Sequence, residues 1–153
     1  MKKNIPFPVY LLLNLIIFLA VGGIYGGGML MADPSGNRLG LGIILLLHSP
    51  FDNYILPGII FIMFNGFIPL FICYALLFRP PWKWPGIFNI YKDQYWPWTG
   101  FLYSGLIGCI WIDVPLLMIG FPGSIQGYFG LLGIAIVIIT LLPANKNFYS
   151  VNS

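Results

Sequence analysis

The chain contains no glutamate, and its four aspartates, seven lysines and arginines and single histidine are spread over 153 residues. A soluble domain of this length keeps its solvent face wet with about a quarter of its residues charged; here the share is 7%. With 59% of residues hydrophobic and a mean hydropathy of +0.89, water is excluded as the main solvent of this polypeptide. Cysteine is almost as scarce. Cys73 and Cys109 are the only two, with no C-x-x-C pair and no His and Cys spacing that would hold zinc. Thiol redox chemistry and a structural metal site are therefore not expected, and each cysteine reads as a small packing residue.

What the chain does have is four long apolar stretches, residues 8–31, 54–78, 97–119 and 125–142. In hydrocarbon the backbone must satisfy its own hydrogen bonds, so a crossing segment is either a helix or part of a closed barrel. The stretches are continuous rather than alternating, which selects helices. About 20 residues rising about 1.5 Å each span a hydrocarbon core about 30 Å thick. The expected fold is thus all-α, a single transmembrane domain built as an integral membrane four-helix bundle. A shorter apolar run, 39–47, falls within the connection 32–53 and is expected to be interfacial or re-entrant.

Charge sets the expected orientation. Lys2 and Lys3 precede the first stretch, Arg79, Lys83 and Lys92 separate the second from the third, and Lys146 follows the fourth; Arg38 alone lies on the other side. Short cytoplasmic loops retain such cations, which predicts both termini in the cytoplasm and a multi-pass protein of the inner (plasma) membrane. Lys2-Lys3 before an apolar run could also open a secretory signal, but the run is long for a signal core and Leu30 stands where a small residue would precede a cut after Ala32. An uncleaved first helix is expected. The formal charge of +3 is distributed beside aromatics at membrane-flanking positions, which suits anionic headgroups and not nucleic acid. Trp82, Trp84, Trp96 and Trp98, with Tyr91 and Tyr95, fall in the cytoplasmic connection, which is expected to lie along the membrane surface.

Small residues at spacings of three and four mark expected helix contacts, because packing in lipid depends on close approach. Gly22 and Gly26 lie in the first stretch, Gly100, Ser104 and Gly108 in the third, and Gly127, Gly130 and Gly133 in the fourth. Intramolecular packing is the favoured reading, with a homo-oligomer or another membrane protein as the alternative. Polar residues inside the stretches carry more information, since they usually face the protein interior. These are Asn14, Asn65 with the kinking Pro69 close by, and Asp113, which lies nearer the outer interface than the centre. Arg38 is the expected partner of Asp113.

The outer connection collects turn formers and most of the reactive groups. Asp33-Pro34-Ser35-Gly36-Asn37-Arg38 reads as a tight turn, and Asp52 or Asn53 is placed to cap the second helix with Pro57 in its first turn. Asp33, Arg38, His48 and Asp52, with Ser35 and Ser49, could converge on an outward-facing ligand or partner site. A hydrolase or metal centre is not expected, because the spacing matches no ligand motif and His48 is the only histidine.

The order Asp33-Pro34-Ser35-Gly36, Leu39-Gly40, Ser49-Pro50-Phe51-Asp52-Asn53-Tyr54 and Leu56-Pro57-Gly58 resembles a group of small, uncharacterised bacterial four-helix integral membrane proteins. The resemblance covers about residues 22–66 and implies a bacterial inner-membrane protein without supplying an activity or site residues. Small multidrug exporters depend on a membrane glutamate, and quinone-linked disulfide enzymes on a C-x-x-C pair; this chain has neither. The expectation is a non-enzymatic membrane component, without cofactor, that binds membrane lipids or a partner protein. The alternative is a small transporter or channel subunit with a polar path through Asn65 and Asp113.

Overall fold

In the computed structural model, residues 5–47, 49–119 and 124–151 are described, those from 112 to 119 and 124 to 126 by their backbone alone. The described chain is all-helical. Five helices follow one another, α1 (Phe7–Ala32), α2 (Ile55–Phe78), α3 (Trp96–Ile119), α4 (Ser124–Leu141) and α5 (Pro143–Tyr149). The only β pairing among the described residues is an isolated bridge between Gln94 and Ser150.

Proline explains most of the boundaries. Pro8 sits in the first turn of α1, where its missing N–H costs nothing. The helix ends where Pro34 follows Asp33, whose own N–H closes the last turn on the Met29 carbonyl at 3.0 Å. The last turn of α2 closes in the same way, Arg79 N–H donating to the Ala75 carbonyl at 2.9 Å, before Pro80 and Pro81 stop the helix. Arg79 adopts the left-handed conformation at φ 46°, the only described non-glycine residue with positive φ. Pro143 opens α5 after a break that turns the chain by 62° from α4.

Inside α2, Met63–Phe67 forms a π turn. Its cause is Pro69, which has no N–H to offer the Asn65 carbonyl four residues earlier. A wider turn absorbs the mismatch without breaking the helix.

The long helices pack antiparallel to their neighbours through small residues. A β-carbon at Gly23 of α1 would lie 2.5 Å from the Asn65 carbonyl oxygen on α2, and one at Gly27 would lie 2.6 Å from the Gly58 carbonyl oxygen. Only glycine lets the two backbones come this close. One at Gly105 of α3 would meet the Gly133 carbonyl oxygen of α4 at 3.0 Å. α1 is the central element, burying Val9, Leu12, Ile16, Leu19 and Ala20 on its inner face. Ile72, Leu76, Trp98, Phe101 and Ile136 complete the core around it.

Two of these helices, α1 and α2, are long and apolar enough to cross a membrane among the described residues, and α4 with α5 would add a third if the bent pair is one span. The helix ends fall within one or two residues of the ends of the apolar stretches. The 39–47 run forms no helix of its own beyond the 3-10 turn Ile43–Leu46, whose Ile43 and Ile44 are exposed.

Candidate functional site

The expected outer site is a self-contained loop. The Asp33 carboxylate accepts from the Ser35 N–H at 3.2 Å, from the Ser35 hydroxyl, and from the Arg38 backbone N–H at 2.9 Å. The Ser35 hydroxyl first, then the Arg38 N–H, hold the Asp33 carboxyl below its ordinary value. Arg38 therefore meets Asp33 through its backbone. Gly36 needs its freedom here: at φ 77°, a β-carbon would fall 2.2 Å from the Leu41 carbonyl oxygen and 2.6 Å from the Tyr54 ring. Tyr54 ties the loop to α2, its N–H donating to Pro34 O at 3.0 Å and its hydroxyl to Gly42 O at 3.1 Å. Asn53 does not take the expected capping role: Tyr54 is the N-cap and has no side-chain cap bond, while the Asn53 side-chain oxygen accepts from the Ile55 N–H at 3.0 Å in a local turn just before the helix.

Among the expected site residues that are described, the fold brings Asp33, Ser35 and Arg38 together. Ser49 bonds locally, donating to Leu46 O and accepting from the Phe51 N–H. Asp52 is exposed. His48 and the Asp113 side chain lie outside the described residues, and with them the expected contact between Arg38 and Asp113. Among the described residues no three His, Cys, Asp or Glu side chains gather as metal ligands would.

Asn65 stands alone at the π turn. It is 1% exposed, and its side-chain Nδ2 donates to nothing. The Asn65 carbonyl, to which Pro69 cannot donate, faces Gly23 of α1. The expected packing residues are used internally. Positions Gly22 and Gly26 face Phe129 and Phe61, Gly100 faces Ile72, and Gly108 faces Gly133. Ser104 is buried and donates to Gly100 O within its own helix at 3.0 Å.

The densest buried polar chemistry lies at the opposite end, where α2 stops, α3 starts and α4 meets α5. Asn89 donates to Gln94 O at 2.9 Å and accepts from the Thr99 hydroxyl. Trp98 donates its indole N–H to Thr140 O at 3.0 Å, and Thr140 donates to Ile136 O at 2.7 Å. Asn145, fully buried, donates to Ile139 O and reaches Pro8 O on α1. The Tyr95 N–H donates to Tyr149 O at 2.8 Å and the Val151 N–H to Asp93 O at 2.9 Å. Gln94 donates to the Asp93 carboxylate, which with Lys146 nearby holds that carboxyl below its ordinary value. Several groups remain unsatisfied here: Gln94 Oε1, Trp96 Nε1, Asn145 Oδ1 and Tyr149 Oη. The expected interfacial role of Trp98 is corrected by this arrangement. Its ring is 1% exposed because it sits inside α3 and docks on α4.

Around this buried network runs an exposed rim. Phe71 stacks on Trp82 with ring centroids 5.3 Å apart and meets Trp84 and Trp96 at 5.8 and 5.9 Å. Trp84, Ile87, Phe88 and Ile90 project outward, Ile87 being 79% exposed and Phe88 67%. The exposed cations Lys83, Lys92 and Lys146 share this rim, and Arg79 lies over the Tyr95 ring at 6.0 Å. Sequence reasoning found the rim aromatics but missed Asn89, Gln94, Thr99, Thr140 and Asn145, whose burial depends on how the helices pack.

No family model, no curated protein and no solved structure matches this chain.

Proposed function

We propose that the protein is a non-enzymatic integral membrane component of a bacterial inner membrane. It crosses the bilayer four times with both termini in the cytoplasm, and it binds anionic lipid headgroups at its cytoplasmic end. The observation that carries this reading is the rim between α2 and α3, where exposed Trp84, Ile87, Phe88 and Ile90 are flanked by Lys83 and Lys92. Burying a large apolar side chain contributes about 1.5–3 kcal/mol relative to exposing it, so such a ridge belongs in the acyl boundary. Lysine beside it attracts the anionic leaflet. The buried network behind the rim supports the reading, because it holds the segment rigid enough to present both kinds of group at one depth. The cation distribution, with Arg38 alone at the other end, supports the orientation.

Two measurements test it. Single-cysteine labelling of intact cells should leave Lys83→Cys and Lys146→Cys protected and Arg38→Cys reactive; labelling of the first two from outside sinks the orientation. Native mass spectrometry from mixed vesicles should retain phosphatidylglycerol over phosphatidylcholine. A combined Lys83→Gln, Lys92→Gln variant should lose most of that preference.

A second reading, a small transporter or channel subunit, is favoured by one observation: the unsatisfied amide of Asn65 beside a π turn, since such turns recur at functional sites. Asn65→Leu separates the two. Replacing an unsatisfied buried amide by an apolar group should leave stability unchanged or raised. If a solute flux disappears while the folded protein persists, the transport reading takes precedence.

A further inference from the structure

The exposed face of α1 carries one polar side chain in the wrong place for lipid. Tyr10, Asn14, Ile17, Val21 and Ile24 follow one another at spacings of four and three along the outside of the helix, and all are exposed. Asn14 is the only amide among them. It is the eighth residue of a 26-residue helix, about 8 Å from the helix midpoint at about 1.5 Å per residue. The hydrocarbon half-thickness is about 15 Å, and an asparagine side chain is too short to reach the headgroups. One amide hydrogen is used within the helix, Nδ2 donating to Tyr10 O at 2.8 Å. The other N–H and the Oδ1 acceptor face acyl chains, which offer neither acceptor nor donor.

We propose that this face of α1 is the interface of a two-fold homodimer in which Asn14 pairs with Asn14 of a second copy. Two copies inserted the same way share one orientation, so a two-fold axis along the membrane normal sets α1 parallel to α1 with both amides at one depth. A carboxamide carries donor and acceptor together and is complementary to itself; a different protein would need its own polar group at the same height. The interface is isologous, and the flanking Tyr10, Ile17 and Val21 meet their own kind. A single asparagine in an otherwise apolar seam fixes register and pairing in the same way. Gly28, at the far end of the seam, has open space where its side chain would be, so the backbones can approach there too. The glycines at 22, 23, 26 and 27 are consumed by packing within the chain, leaving this seam as the free one.

The proposal rests on α1 crossing the membrane, and its test separates the two. The full chain is reconstituted in lipid discs and membranes, and copy number is counted by single-molecule photobleaching. The wild type should show two copies, and Asn14→Leu should weaken the dimer by about tenfold or more, the amide pair contributing about that factor. Asn14→Gln should retain it. Thermal unfolding of Asn14→Leu should be unchanged, because leucine suits both helix and lipid. Oxidative cross-linking of Ile17→Cys in membranes should give dimers above the parent background, and Leu13→Cys, on the buried face, should not. Single copies in the wild type, a dimer indifferent to Asn14→Leu, or a different protein held stoichiometrically at this face overturns the proposal. Release of the chain by alkaline carbonate would instead overturn the membrane reading beneath it.

Discussion

The two ends of the molecule solve the same problem, how to satisfy polar backbone and side chains beside an apolar bundle, by opposite means. The connection before α2 relies mainly on short-range bonds, Asp33 to residues two and five positions away and Asn53 to a residue two away, and Tyr54 closes the loop on Pro34 and Gly42. The end at which α4 meets α5 adds long-range bonds to its local ones, Trp98 to Thr140 across 42 residues and Asn145 to Pro8 across 137, and leaves four side-chain atoms unpaired. A local solution stabilises one turn. A long-range one ties several helices together and makes their unfolding cooperative.

That contrast can be broken first where it is largest. Trp98→Ala removes a fully buried indole and its bond to Thr140, and should cost about 3–5 kcal/mol, read as a global drop in the unfolding midpoint in mixed micelles. Asn89→Ala leaves the Thr99 hydroxyl and the Gln94 carbonyl unpartnered and should cost about 1–3 kcal/mol. Its signature should be faster amide exchange at both the start of α3 and Val151, because the bridge connects them. At the other end Gly36→Ala forces a left-handed alanine against Leu41 O, at a cost of about 1–2 kcal/mol from conformation alone. Faster exchange there should stay confined to the 33–54 segment. If the global midpoint falls as far for Gly36→Ala as for Trp98→Ala, the distinction between local and long-range ends is wrong.

The smallest effect is electrostatic. The Asp33 carboxyl is held below its ordinary value of 3.8. The stability this gives the loop is therefore complete above that ordinary value and is lost as pH falls through the lower folded one. Ser35→Ala should bring the carboxyl back toward 3.8, as followed by carboxyl titration in NMR, and the small stability lost with that bond should be the same at pH 5 as at pH 8.

Legibility in the sequence follows the same division. The helices were readable because each is one continuous apolar run that proline punctuates: Pro34, Pro80 and Pro143 lie where helices end or begin. The turn around Gly36 was readable because it involves neighbours in the chain. Nothing local marks Asn89 or Asn145 as buried, since both sit in stretches that look like ordinary polar connections. Trp98 misled for the same reason. It belongs by sequence to an aromatic-rich connection, but helix periodicity turns it onto Thr140. Asn65 was recognised as polar and central, but the π turn that isolates it depends on how Pro69 is accommodated, which the spacing alone does not specify.

The bridge between Gln94 and Ser150, with the Tyr149 and Val151 bonds beside it, gives the fold a mechanical property. Tension applied beyond Val151 is delivered first to the residues that open α3, not to α4, because the strand-like pairing at Ser150 lies between the point of pulling and the 62° corner. A handle or fusion attached there would peel the foot of α3 before it strained the bundle, so pulling experiments on this chain should register an early, small rupture ahead of the main one.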